Sequence, residues 1–363
     1  MTRRSAHLKS HLKNKNTLFL GSVALVCLMV VYIISFSELF GVEYTRADEA
    51  MKNMKNAVAK SIPAKLDTVA YDARMLANAN YASTTATTTK RIWPVQAPYP
   101  LPGALLPERR IIAYYGNFYS TKMGVLGEYP PDIMKQKLAA EMKAWDAADP
   151  TTKTIPAIDY IAITAQGSPG KDGKYRFRMP DSEIDKAVAL AKEVHGIVIL
   201  DIQVGLSNVQ TEVPLLEKYL KMPEVHLALD PEFAMKGGAK PGSVIGTLDA
   251  SDVNYVATYL AGLVTANNLP PKVLIVHRFT GPMVTNAKLI KPLPQVQIIM
   301  DMDGWGDPAK KKNTYFRTVF SEPVQFTGFK LFYKNDLKPP STRLLTPSEL
   351  LKLTPQPLFI QYQ

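Results

Sequence analysis

The sequence predicts an α/β protein, a (β/α)8 TIM barrel that is preceded by an N-terminal transmembrane helix and a stalk. Strand-like and helix-like segments alternate from Glu108 to the end of the chain, which is typical of a parallel sheet. Eight strand-like runs fit within roughly 250 residues, which is the size of one such barrel. Polar residues stand at the carboxyl ends of several runs, where a barrel of this kind presents its active site.

The eight predicted strands are apolar runs separated by helical patterns or polar loops. They are Arg110–Asn117, Ile158–Gln166, Ile197–Val204, Val225–Phe233, Val273–Thr280, Val296–Asp303, Val324–Tyr333 and Leu358–Tyr362. The predicted helices are Asp132–Asp146, Ser182–His195, Asp252–Asn267 and a last one that opens at the capping box Thr346-Pro347-Ser348-Glu349. The segment Gly304–Pro323 is too short and polar for an ordinary outer helix, which leaves an open doubly wound sheet as the alternative fold.

The distribution of charge argues against a nucleic-acid-binding protein. The chain of 363 residues is 46% hydrophobic, enough for a sizeable core, and its net charge is +11. Residues 1–107 contain 13 Lys and Arg against 6 Asp and Glu, whereas the remainder contains 30 against 26. The positive charge is therefore concentrated before the predicted barrel. The single cysteine, Cys27, excludes an intrachain disulfide and a thiolate zinc site.

The N-terminal region predicts a single-pass membrane anchor. A basic tail, residues 1–16, precedes Thr17–Phe36, twenty residues without a charge that are long enough to span a bilayer. The basic flank places the N-terminus in the cytoplasm and the rest of the chain outside it. A cleaved signal peptide would have a shorter apolar core and a small-x-small cleavage site, and Ile34–Leu39 offers no good one. A lipoprotein signal would need a small residue before Cys27, where Val26 stands, and a buried core helix is the remaining alternative.

Residues 43–107 are expected to form a stalk that holds the barrel, residues 108–363, away from the membrane. The first part is loosely helical and is interrupted by Pro63. The run Tyr81–Lys90 is rich in threonine, and Trp93–Pro107 contains five prolines. Such segments act as spacers, so few contacts with the core are expected.

The candidate functional residues stand at the strand ends. In Val225–Phe233, Asp230 and Glu232 are two residues apart, so both would face one side of a strand. Trp305 follows the sixth strand and would offer a surface on which a sugar ring can stack. The other candidates are Tyr115, Asn117, Gln166, Asp201, Gln203, His277, Asp301, Asp303, Lys330, Tyr333, Gln361 and Tyr362.

Six phrases of the chain resemble a family of bacterial cell-envelope proteins. They are RIIAYYGNFYSTKMGVLGE, LDIQVG, LALDPEF, PGSVIGTLDASDVN, VLIVHRFT and MDMDGWG. The resemblance implies a secreted or lipid-anchored protein with a glycosidase-type barrel. A more distant likeness is to family-18 chitinases, in which an Asp-x-Glu pair closes strand four. This likeness implies that Glu232 is the acid and Asp230 its partner, although Ala228 and Val225 stand where that family has further aspartates.

The chemistry of these residues favours glycoside hydrolysis, and the resemblance implies a cell-envelope or extracellular polysaccharide as the substrate. Glu232 suits the general acid, with Asp230 beside it and Asp201 on the neighbouring strand to raise its pKa. The seventh strand supplies no carboxylate, so Asp301, Asp303 or an N-acetyl group of the substrate would complete the reaction. The remaining candidates would bind substrate.

Two other functions stay open at this stage, and no cofactor is expected. The first is a barrel without catalytic activity that binds polysaccharide. The second is a metal-dependent hydrolase with a shared divalent ion. Its ligands would be Asp201, Asp230, Glu232, His277 and Asp301.

Overall fold

The structure is a computed structural model that describes residues 65–81 and 91–363. Its centre is a closed barrel of eight parallel strands, because each strand pairs with the next along the chain and the first also pairs with the last. The strands are β1 Arg109–Gly116, β2 Lys153–Ala165, β3 Ile197–Ile202, β4 Val225–Leu229, β5 Lys272–Arg278, β6 Val296–Met302, β7 Phe326–Leu331 and β8 Phe359–Tyr362. The predicted (β/α)8 fold is confirmed, and the open sheet is excluded.

Helices and short segments connect the strands. The longer helices are α1 Thr68–Ala79, α2 Pro131–Ala148, α3 Asp181–Glu193, α4 Ala250–Asn267 and α5 Pro308–Tyr315. The single-turn α-helices are Val125–Glu128, Val209–Glu212, Glu217–Leu220 and Pro347–Leu350. The 3₁₀ turns are Val213–Leu216, Pro231–Phe233, Gly281–Met283, Ala287–Leu289 and Asn335–Leu337. Three short strands lie outside the barrel, at Arg176–Arg178, Leu248–Asp249 and Val284–Thr285.

The segment Gly304–Pro323 forms an outer helix, so the expectation that it would not is wrong. The Asp307 side chain accepts hydrogen bonds from two backbone N–H groups of the first turn, and Pro308 occupies the first helical position. The helix continues as a π-helical turn, Phe316–Phe320. Tyr315 at the end of α5 and Val319 in this turn are buried in the hydrophobic core, so two apolar side chains anchor an otherwise polar helix.

The interior of the barrel changes character from one end to the other. Apart from His226 and Gln297, the buried inward side chains at the amino ends of the strands are apolar. They are Ile111, Ala113, Ala157, Ile197, Ile199, Ala228, Val273, Ile275, Ile299, Phe326 and Phe359. Because every second residue of a strand shares a face, these same faces continue at the carboxyl ends. There they carry Tyr115, Asp159, Asp201, Asp230, His277, Asp301, Lys330 and Gln361.

The segment before β1 packs against the amino end of the barrel. Tyr71 and Met75 of α1 belong to the same buried cluster as the apolar barrel interior, as does Leu106. The Trp93 indole N–H donates to the Phe320 carbonyl at 3.0 Å. The compact unit therefore begins at Lys65 rather than at Glu108.

Hydrogen bonds also tie this segment to the barrel. The Asn80 side-chain amide donates to the carbonyls of Leu351 and Leu353, at 3.1 and 2.7 Å. The expected boundary at Glu108 is wrong for residues 65–81 and 91–107, because α1 has an apolar face that covers the open end of the interior. The predicted tail, residues 1–16, and anchor, Thr17–Phe36, lie outside the described residues. In residues 65–81 and 91–363, no helix is both long and apolar enough to cross a bilayer.

Candidate functional site

A cavity of about 650 Å³ opens at the carboxyl ends of the barrel strands. Its position is the one where (β/α)8 enzymes bind their substrates, and its volume suits a small molecule or part of a polymer. Several predicted candidates line it. They are Tyr115, Gln166, Gln203, Asp230, Glu232, Asp303, Trp305 and Lys330. The segments that follow the strands, both loops and helical turns, contribute further residues, which include Lys122, Phe279, Lys310, Arg317 and Phe332.

Asp230 and Glu232 are brought to the cavity by a turn and not by a strand. Strand β4 ends at Leu229, and a 3₁₀ turn, Pro231–Phe233, follows at once. Asp230 caps this turn, since its Oδ1 accepts a hydrogen bond from the Glu232 N–H at 3.1 Å. The expectation that both acids share one face of a strand is therefore wrong. Asp230 is buried in the floor of the cavity, whereas Glu232 is half-buried in its wall.

The carboxyl group of Glu232 holds its proton more tightly than an exposed glutamate does. Burial raises its pKa, and the charge of Asp303 raises it further, while Lys330 and His277 act in the opposite direction. The direction agrees with the prediction, but its cause differs. Burial and Asp303 supply the effect that was expected from Asp230 and Asp201.

Asp303 and Lys330 form an ion pair in the cavity wall. The Lys330 ammonium nitrogen lies 3.1 Å from Asp303 Oδ1 and 4.0 Å from the centre of the Tyr115 ring. Burial alone would lower the pKa of Lys330. The neighbouring carboxylates, of which Asp303 has the largest effect, raise this pKa above its ordinary value. Lys330 is therefore a cation at neutral pH. Burial also raises the pKa of Tyr115 well above its ordinary value, so this phenol stays neutral.

A hydrogen bond from Gln203, the residue that follows β3, holds the side chain of Asp230 in place. Gln203 Nε2 donates to Asp230 Oδ2 at 3.1 Å and to the Tyr115 hydroxyl at 3.3 Å. The Gln203 carbonyl oxygen accepts from the Ala165 N–H at 3.0 Å, which sets the orientation of the amide. Burial, followed by the charge of Asp201, raises the pKa of Asp230 well above its ordinary value. Burial therefore favours the protonated form of Asp230.

His277 lies below the cavity between two carboxylates. Its Nδ1 is 2.9 Å from Asp301 Oδ2, and its Nε2 is 2.9 Å from Asp201 Oδ2. All three side chains are fully buried. Burial alone would lower the pKa of His277. The hydrogen bonds with Asp201 and Asp301 raise this pKa well above its ordinary value. The ring is an imidazolium that donates from both nitrogens.

This arrangement bears on the metal-dependent alternative. Both nitrogens of His277 are engaged by carboxylates, so the ring has none free for a metal ion. In the part of the chain that the structure describes, no group of three or more His, Cys, Asp or Glu side chains is placed to hold a metal. Asp201 and Asp301 do not reach the cavity either, and their Oδ1 atoms are buried without a hydrogen-bond partner.

Asp159 is a buried acid that the sequence did not single out. Gln361 Nε2 donates to its Oδ2 at 2.5 Å, and burial, followed by the charge of Asp201, raises its pKa to about 8. It was missed because β2 starts at Lys153, five residues before the predicted start, so Asp159 lies inside the strand rather than near its beginning. The sequence did contain a signal for it, because Asp159 is a charged residue two places after Ala157 and therefore lies on the same inward face of the strand.

Three further candidates lie away from the cavity. Asn117 is fully buried, and its amide donates to the Ile161 carbonyl at 3.0 Å. Tyr362 accepts from the Trp145 indole N–H at 2.9 Å, and Tyr333 donates to Glu141 Oε1 at 2.6 Å. Tyr362 follows the inward residue Gln361, so it faces outward toward α2. The structure therefore does not bring these three predicted substrate-binding residues to the cavity.

Comparison with known proteins identifies no family for this chain. No protein-family profile matches the chain, and no curated protein matches it. Among solved structures, the cellulase Cel5C_n is similar with a TM-score of 0.35 and 12% identity, over 61% of this chain and 65% of that one. A ruminal GH26 endo-beta-1,4-mannanase is similar with a TM-score of 0.34 and 12% identity, over 70% and 59%. The chain thus matches less than two thirds of the length of either structure. The family resemblance drawn from the sequence stays a prediction.

Proposed function

We propose that the barrel is a glycoside hydrolase that acts on a polysaccharide, with Glu232 as general acid and Asp303 as the second carboxylate. The observation that carries the proposal is the contrast between these two groups in one cavity. Burial raises the pKa of Glu232, which favours the protonated form, whereas Asp303 forms an ion pair with Lys330. Hydrolysis of a glycosidic bond uses one carboxyl group as a proton donor and another as a carboxylate.

The geometry supports Asp303 over Asp301 as the second carboxylate. Asp301 is fully buried and bonded to His277, so no substrate atom can reach it. Asp303 lines the cavity together with Glu232. Trp305 stands at the same cavity with 48% of its surface exposed, which suits a platform for a sugar ring. The assignment of the second carboxylate to Asp303 follows from access.

The test is the variant Glu232→Gln, measured on cell-wall and exopolysaccharide fragments. Glutamine keeps the size of the side chain but cannot deliver a proton, and loss of a general acid costs about 10²–10⁴ in rate. We expect a folded protein that still binds glycan and loses at least about 100-fold in kcat. The matched control is Glu224→Gln, at the other end of β4, which should keep full activity. Full activity of Glu232→Gln would contradict the assignment.

We also propose that the barrel is held outside the cytoplasm of a bacterial cell by the span Thr17–Phe36. Its support is the sequence alone, namely the uncharged twenty residues and the basic tail before them. Protease added to intact spheroplasts should then degrade the barrel and spare a tag at the N-terminus. A barrel that is protected until the membrane is lysed would contradict this topology.

A further inference from the structure

Cationic side chains surround the opening of the cavity. Lys122, Lys310, Arg317 and Lys330 all line it. Lys330 is paired with Asp303, but the other three have no carboxylate within 4.0 Å in residues 65–81 and 91–363. These three are exposed and come from separate elements, since Lys122 follows β1 and the other two lie on α5 and the π-helical turn after it. We call Lys122, Lys310 and Arg317 the rim cations.

The exposed tryptophan belongs to the same positive region. The Lys310 ammonium nitrogen lies 4.9 Å from the centre of the Trp305 ring, and that of Lys338 lies 5.2 Å from it. Such contacts hold an ammonium group against an aromatic ring while leaving it open to solvent. A sugar that packs against Trp305 would therefore have two ammonium groups beside it.

The cavity has too few carboxyl side chains to cancel this charge. Its carboxyl groups are Asp230, Glu232 and Asp303. Four cations therefore outnumber three carboxyl groups even if every carboxyl is ionised. Burial raises the pKa of Asp230 and of Glu232, which reduces the negative charge further. The side chains that line the cavity thus carry a net positive charge at neutral pH.

We propose that the cavity binds an anionic glycan, whose carboxylate or sulfate groups pair with the rim cations while a sugar ring packs against Trp305. This inference rests on the proposed function of the same site and names its class of substrate. A neutral glycan would leave the rim cations without partners, whereas an acidic one forms charge-assisted hydrogen bonds with them. A positive cleft also speeds the encounter with an anionic chain.

The experiment compares each acidic glycan with its own neutral derivative. The full chain carrying Glu232→Gln is titrated with a uronic acid oligosaccharide and its carboxyl-reduced form, and with a sulfated oligosaccharide and its desulfated form. We expect at least one acidic glycan to bind about tenfold more tightly than its derivative at low salt. This advantage should shrink as salt is added. The two pairs distinguish carboxylate from sulfate recognition. Equal binding within both pairs, or no binding of any of the four, would overturn the inference.

Substitutions in the rim sharpen the test. Lys310→Gln and Arg317→Gln should each weaken binding of the acidic glycan about 2- to 5-fold and leave binding of the neutral derivative unchanged. Lys143→Gln removes an exposed lysine from α2, outside the cavity, and should change neither. Unchanged binding in the rim variants would contradict the inference.

Hydrolysis by the full chain without substitutions separates this inference from the proposed function. Tight, salt-dependent binding of an acidic glycan without any hydrolysis would support the inference and contradict the enzymatic function. If neutral glycans are hydrolysed and the rim variants do not change the rate, the result would support the enzymatic function and contradict the inference.

Discussion

The two ends of the barrel interior are equally buried but opposite in chemistry. Ile275 and His277 are both fully buried and share the inward face of β5. Ile275 packs among apolar side chains, and its burial stabilises the fold. His277 is held between Asp201 and Asp301, where charged groups must be removed from water. The polar layer is costly to bury and lies directly below a cavity, which indicates a functional site. The apolar layer serves the stability of the fold.

Two buried histidines show how the surroundings set the charge. His226 lies toward the amino end of β4, and its Nδ1 accepts a hydrogen bond from the Val273 N–H at 3.0 Å. Burial, followed by the charge of Lys272, lowers its pKa well below the ordinary value, so this ring is neutral. His277 has two carboxylate partners and is charged. The difference between the ends of the barrel is therefore one of hydrogen-bond partners and not of depth.

The largest expected effect on stability follows removal of the charge on His277. His277→Gln leaves two buried carboxylates with at most one neutral partner, and breaking a buried ion pair costs about 3–5 kcal/mol. Ile275→Val, on the same face of β5, should cost about 0.5–1.5 kcal/mol. Urea unfolding of both variants measures the difference. If the two losses are equal, the polar layer is not a charged network.

The amino end of the barrel should depend on α1. Met75 is buried against the lower interior, so Met75→Ala should lower the free energy of unfolding by about 2–5 kcal/mol. Leu76, the next residue, is 63% exposed, so Leu76→Ala should change it by less than about 0.5 kcal/mol. Thermal unfolding separates the two. Equal, small effects would show that α1 is part of a detached stalk, as the sequence alone suggested.

Much of the barrel could be predicted because its strands are long apolar runs. The predicted strands β3 and β6 start at the correct residues, Ile197 and Val296. The polar strand ends were also found, since a charged residue after an apolar run is visible in the sequence. What the pattern did not show was where β4 stops. Pro231 opens a turn there, so Glu232 leaves the strand direction.

Two other differences have physical causes that a single sequence hides. Trp93 and Leu106 lie in a proline-rich stretch that resembles a spacer, but their burial depends on surfaces far along the chain, such as the Phe320 carbonyl. The face of Tyr362 follows from simple alternation, because its neighbour Gln361 points inward. Because side chains alternate along a strand, Gln361 and Tyr362 cannot both point into the barrel.

The two histidines should give opposite dependences of stability on pH. The folded pKa of His277 is raised, so its contribution is present below pH about 6.5 and is lost as pH rises through the folded pKa. The folded pKa of His226 is lowered, so its contribution is present above pH about 6.5 and is lost as pH falls. Each contributes a slope of up to about 1.4 kcal/mol per pH unit.

Urea unfolding from pH 5 to 9 measures these slopes, and the difference between each variant and the original chain isolates one histidine. His226→Gln should flatten the acidic side, and His277→Gln should flatten the alkaline side. A flattening of the same side by both variants would show that the assigned charge states are wrong.

The smallest effect is expected from Asp230→Asn. The sequence suggested that Asp230 raises the pKa of Glu232, in which case this variant would shift the pH optimum downward. In the structure Asp230 is itself the more strongly buried acid, and its raised pKa favours the neutral form. The charges that shift the pKa of Glu232 are those of Asp303, Lys330 and His277, and Asp230 is not among them. A neutral acid exerts no charge on its neighbour, and asparagine has nearly the same shape. Asp230→Asn should therefore keep the pH optimum of hydrolysis and change the free energy of unfolding by about 1 kcal/mol or less, because the amide has to adjust to Gln203. The pH profile of kcat is the deciding measurement. A downward shift would show that Asp230 is ionised in the active enzyme, and Asp230 rather than Asp303 would then be the group that sets the acidity of Glu232.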